Sequence, residues 1–274
     1  MLLDDEIGVI HGAGGAIGGA IARAFAAAGA RVHLAGRTRA KLEAVADDIG
    51  GAASVAQVDV LDGRAVAEHA DAVARADGRI GIALNAAAFP YAGGTAFPEL
   101  AVEEVMRPID ATLRSNLIVA RAVAVHMRGS GAILTLSTAG ARFARPGNLG
   151  FGTACAAIEH LTQRLAAELG PRGIRVVCLR PHAVSDAVAS GSYTGDVFAP
   201  LAAASGITVA ELLERWGRSG TLLGRLPTLA QVGDAAVFLA SGRAGAITGT
   251  VVDLTCGNAL RAEGLGGALV GVLD

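Results

Sequence analysis

Short runs of aliphatic and β-branched residues recur along the chain at 7–10, 31–35, 54–60, 80–84, 132–137, 175–179 and 250–254. Longer segments lie between them, with apolar positions returning every three or four residues. A strand covered on both faces reads as a continuous apolar run, and a helix lying on a sheet reads as a stripe. The alternation therefore predicts an α/β fold: a doubly wound parallel sheet of about seven strands with helices on both faces. Between the first two strands, Ile17, Ile21 and Phe25 recur every four residues, so one helical face is apolar, and Gly29 closes that helix. Further on, Phe151, Cys155 and Ile158 form one stripe and Leu161, Leu165 and Leu169 an adjoining one, broad enough for burial on two sides. Residues 187–225 break the rhythm with Gly, Ser and Pro before a helical stretch, VAELLERW.

Composition narrows the partners. The 274 residues fit one domain, 1–274, long enough to bury a core without disulfides or metals. The formal net charge is -2 and the arginines are scattered, which argues against nucleic acid or an anionic membrane and for a small-molecule substrate. Cys155, Cys178 and Cys256 have no CxxC spacing and sit in apolar runs, as buried reduced thiols of a cytoplasmic protein would. The start MLLDDE is acidic, unlike a signal peptide, and no 18-residue apolar run is free of charge. The tail from 258 to 274 ends in GLGGALVGVLD, an apolar terminus that another subunit would cover or that stays disordered.

The clearest chemical signal follows the first strand. His11-Gly12-Ala13-Gly14-Gly15-Ala16-Ile17-Gly18 opens directly into a helix, and glycines there let backbone amides approach a pyrophosphate whose charge the helix N-terminus favours. Asp59-Val60 closes the third predicted strand, and Asn85-Ala86-Ala87-Ala88 follows the fourth. After the second strand, where a carboxylate would hold the 2′-hydroxyl of NAD, the chain has Gly36-Arg37-Thr38-Arg39. A guanidinium in place of that carboxylate favours NADP(H) over NAD(H), unless Arg37 is an ordinary solvated residue at a helix start.

In this order and register the motifs resemble those of the short-chain dehydrogenase/reductase family. The resemblance covers roughly residues 5–258. It implies a cofactor site of Gly12, Gly14, Gly15, Ala16, Ile17, Gly18, Arg37, Asp59, Val60, Asn85, Ala86 and Ala87, with Pro181 and Val184 near the nicotinamide. It implies also a substrate-covering segment at about 187–225, no metal, and a homodimer or homotetramer built on the helix that carries residue 151. Aligned outward from that helix, the family's catalytic tetrad falls on Thr112, Thr138, Phe151 and Cys155, with Asn116 one turn beyond Thr112. Where the family has Tyr-x-x-x-Lys this chain has Phe151 and Cys155, and a benzyl ring and a thiol cannot act as its phenol and ammonium. The chain has two tyrosines, Tyr91 and Tyr193, and a single lysine, Lys41, so no other segment supplies the pair.

Departures from the family pattern therefore cluster at the nicotinamide end. His182 and Asp186 are candidate replacement acids, the first through an imidazole near neutrality and the second through a carboxyl raised by desolvation. Tyr91, Tyr193 and Cys155 complete the choice. Each has a plainer reading: loop residues facing water, pocket walls, and a small buried residue beside Phe151. Three functions fit: an NADP(H)-dependent reductase acting on an iminium or conjugated C=C, a redox-neutral cyclase, dehydratase or isomerase, or a cofactor-binding partner subunit without chemistry.

Overall fold

The computed structural model describes residues 1–89, 91, 97–127, 129–143 and 147–258. The tail 259–274 and Pro146, at the start of the segment leading to Phe151, lie outside them. Seven parallel strands form one sheet in the order β3-β2-β1-β4-β5-β6-β7: β1 Ile7–His11, β2 Arg31–Gly36, β3 Ala53–Gln57, β4 Ile82–Asn85, β5 Gly131–Leu136, β6 Ile174–Pro181 and β7 Thr250–Leu254. Side chains alternate between two buried layers. Ile10, Leu34, Leu84, Leu134 and Val177 pack against helices α1 (Ala16–Ala27), α2 (Arg39–Ile49) and α8 (Leu229–Ala240). Val9, Ala35, Ala83, Ile133 and Val176 pack against α3 (Gly63–Asp77), α4 (Val102–Ala124) and α5 (Leu149–Leu169).

The stripe on α1 does what its spacing predicts: Ile21 and Phe25 are fully buried, each worth roughly 1.5–3 kcal/mol of apolar burial. The third strand is shorter than its sequence implied, ending at Gln57 because β2, its neighbour in the sheet, ends opposite at Gly36. Asp59 and Val60 consequently stand in the turn beyond, where the Asp59 carboxylate accepts the Leu61 N–H at 3.0 Å. Cys155 and Cys178 are buried, whereas Cys256 is only half-buried. The segment after β6 holds α6 (Thr194–Ala204) and α7 (Val209–Gly220), the latter started by a reciprocal Thr208/Glu211 cap. Among the described residues no single helix is long and apolar enough to cross a membrane.

Two polar clusters interrupt the core. Arg180, at the end of β6, donates to Glu159 on α5 at 3.0 Å and to Asp253 on β7 at 2.9 Å, and Ser137 after β5 donates to Glu159 at 2.6 Å. This network ties three strand ends to the helix bearing Phe151. Replacing Arg180 by Met leaves the half-buried Glu159 without its cation, and chemical denaturation is expected to record a loss of about 3 kcal/mol. A change below 1 kcal/mol would show that the network holds little.

The second cluster is histidine. His11 lies fully inside with both ring nitrogens unpartnered, edge-on to His69 at 6.0 Å. Burial, reinforced by the neighbouring ring, pushes His11 down to about 3, and burial pushes His69 down to about 4. Both rings are neutral in the fold but bind protons below about 6.5 when unfolded. Stability attributable to them is therefore complete above that pH and falls as the pH drops toward 4, by up to about 1.4 kcal/mol per pH unit for each ring. Thermal melts between pH 7 and pH 4.5 are expected to show a shallower decline for His11→Leu than for the parent chain. Equal declines would contradict this assignment.

Candidate functional site

The strand order places β1 between β2 and β4, so the connections after β1 and β4 leave in opposite directions and open a crevice at their carboxyl ends. The glycine loop lines it. Gly12 has φ +77, and a Cβ there would come within 2.5 Å of the Ala86 carbonyl carbon, so only glycine lets the two loops approach. A Cβ on Gly18 would strike the Gly12 carbonyl oxygen, which holds the helix against the loop. Gly14 and Gly15 are open to solvent to different degrees, and Ala16 and Ile17 are half-exposed at the start of α1. Gly15 caps α1 without any side-chain hydrogen bond, leaving first-turn amides available to an anion.

Across the crevice, buried Asn85 donates to Ser115 on α4 at 3.1 Å and accepts the Ala87 N–H at 3.2 Å, fixing the loop that carries Ala86 and Ala87. Asp59 is exposed beside buried Val60. Arg37 is exposed at the end of β2, its carbonyl accepting from Gln57 at 3.0 Å, and among the described residues no carboxylate pairs with its guanidinium. The residues present fit a dinucleotide: glycines where backbone must meet phosphate, and uncapped helix amides. Bound there, the nicotinamide would supply two electrons and a hydrogen at carbon.

Three of the four tetrad positions, Thr138, Phe151 and Cys155, come together at the other end. Phe151 and Cys155 lie one turn apart on α5, and the Cys155 sulfur is 3.4 Å from the Thr138 hydroxyl, which also accepts the Gly140 N–H at 3.1 Å. Burial pushes the Cys155 thiol up to about 11, so it stays protonated near neutrality and supplies no negative charge. The Thr112 carbonyl accepts from Asn116 at 2.8 Å and Ser115 at 3.0 Å, so Asn116, the alternative at that position, turns its amide onto Thr112.

The candidate acids are placed differently from one another. Pro181 ends β6 and Val184 is buried just beyond. His182 accepts the Ala183 N–H on Nδ1 at 2.6 Å, and burial pushes it down to about 4. It is a neutral ring at pH 7 rather than an imidazole titrating near neutrality, because the loop folds it against Phe143 with centroids 6.0 Å apart. Asp186 is exposed and accepts the Leu229 N–H at 2.9 Å, at the start of α8. Tyr91 stacks on Phe151 with ring centroids 4.5 Å apart and planes 20° apart. That contact joins residues sixty positions apart, and only the scarcity of tyrosine in the chain pointed toward it.

Comparison with known proteins agrees with this geometry. Residues 12–258 match the family model described as enoyl-(acyl carrier protein) reductase. An uncharacterized oxidoreductase of Mycobacterium tuberculosis is 30% identical over 266 residues, covering 93% of this chain and 92% of that protein. Galactitol 2-dehydrogenase (L-tagatose-forming) of Cereibacter sphaeroides is 32% identical over 263 residues, covering 91% and 93%. The crystal structure of 3-ketoacyl-(acyl-carrier-protein) reductase from Brucella melitensis, complexed with NADH, is 26% identical with a TM-score of 0.78, covering 94% of this chain and 99% of that one. Sheet order, crevice and matched length lead to one assignment: this chain belongs to the short-chain dehydrogenase/reductase family of oxidoreductases.

Proposed function

We propose that this chain is an NADP(H)-dependent reductase with a remodelled catalytic end, acting on a conjugated C=C or an iminium rather than on a simple ketone. The observation that carries the reading is the contrast within one crevice. The loop, helix start and Asn85 bracket retain the fit to a dinucleotide, while α5 itself, at Phe151 and Cys155, carries neither a phenol nor an ammonium toward Thr138. Reducing a ketone builds charge on an oxygen that needs a strong donor. An iminium ends as a neutral amine, and a conjugated carbonyl spreads the charge over an enolate. In either case the substrate gains two electrons and a hydrogen at carbon, and the dinucleotide is oxidised. The remaining proton of conjugate reduction comes from water or a neighbouring residue.

Exposed Arg37 supports the choice of NADP(H), since a guanidinium pairs with a phosphate at two points. Exposed Met106, Leu117 and Leu149 on α4 and α5 support a homodimer or homotetramer joined through those helices.

Two measurements test this reading. Calorimetric titration is expected to show Arg37→Gln weakening NADPH about tenfold while leaving NADH unchanged; an equal effect on both would remove Arg37 from cofactor choice. Absorbance assays over ketone, imine and enone panels are expected to show NADPH oxidation with the latter two. The double variant Phe151→Tyr/Cys155→Lys is expected to gain ketone reduction. Turnover without any change in cofactor absorbance would instead indicate the redox-neutral chemistry the scaffold also accommodates.

A further inference from the structure

The place of the missing phenol is not empty of phenols. Tyr91, from the loop after β4, lays its ring almost parallel on Phe151 with centroids 4.5 Å apart, so a phenol ring lies one stacking distance from the ring that stands on α5. Both rings are half-exposed, and the Thr138 hydroxyl lies beside the same turn of α5 through its contact with Cys155. We infer that Tyr91 is the hydrogen-bond donor to the oxyanion of a planar, conjugated substrate, the phenol having moved from α5 to the loop after β4.

Three features fit this ligand class. Stacked rings present a flat apolar face, which a conjugated carbonyl matches and a polyol does not. The Thr138 oxygen accepts the Gly140 N–H and lies 3.4 Å from the Cys155 sulfur, a contact in which either group can donate; when the thiol donates, the Thr138 proton is left for the crevice. The other tyrosine belongs to the same group of side chains: burial first, then the nearby Tyr91 and Cys155, push Tyr193 up to about 12. A phenol donates a hydrogen bond to an oxyanion without surrendering its proton, which suits an enolate oxygen. An iminium offers such a donor nothing, so within the reductase reading, on which the substrate class rests, the enone is selected.

The test uses 4-nitrophenolate, a planar oxyanion whose visible absorption shifts on hydrogen bonding, titrated into the full chain without cofactor. Tyr91→Phe is expected to weaken binding roughly tenfold to a hundredfold, the range of a hydrogen bond to a charged group, and to abolish the shift. Tyr193→Phe is expected to keep both. Moving the phenol back, as Phe151→Tyr in the Tyr91→Phe background, is expected to restore them, which separates a lost donor from a misfolded loop. Unchanged binding by Tyr91→Phe, loss in Tyr193→Phe instead, or no binding by the parent chain would overturn the assignment. Because no cofactor is present, a failure here leaves NADPH oxidation standing, and a failure of NADPH oxidation leaves the donor standing.

Discussion

Burial of the central strands on both faces governs where chemistry can occur in this molecule. Val9 and Ile10 enter opposite apolar layers, as do Ala83 and Leu84, and Ile133 and Leu134, so the body of the sheet leaves little room for unpaired polar groups. Polar function is displaced to the carboxyl ends, where the strands release Gly12, Asn85, Thr138 and Pro181 into one crevice. Arg180, Glu159 and Asp253 hold the ends of β6 and β7 against α5, and Asn85 with Ser115 holds β4 against α4.

Much of this was legible in the sequence because it is local. A β-branched run marks each strand, a four-residue recurrence marks α1, and a glycine cluster at their junction marks the loop. Asp59 and Val60 were misplaced by one short step, since strand length depends on the neighbour's length and not on propensity alone. His182 illustrates a different gap: its residue type predicts titration near neutrality, but the fold removes water from the ring. Contacts between distant segments left no trace in the pattern. The Tyr91–Phe151 stack and the three successive polar contacts from Ser137 through Glu159 and Arg180 to Asp253 are products of topology.

The two ends of the crevice have been treated unequally. At the glycine loop a substitution such as Ala16 leaves the close approach intact, because that approach depends on Gly12 and Gly18. At α5 the proposed reading is self-consistent: it puts the Cys155 thiol and the Phe151 ring where the family has its ammonium and phenol, and Tyr91 from another loop covers the Phe151 ring. Such consistency is what a changed reaction requires, since a lone charged remnant in that apolar corner would lack a partner.

A crystal structure of the chain grown with saturating NADPH tests the central claim most directly. The account predicts a dinucleotide between the Gly12–Gly18 loop and Ala86–Ala87, its 2′-phosphate on Arg37 and its nicotinamide facing Thr138, Phe151 and Tyr91. A crevice without the dinucleotide, or a nicotinamide turned away from α5, would contradict it.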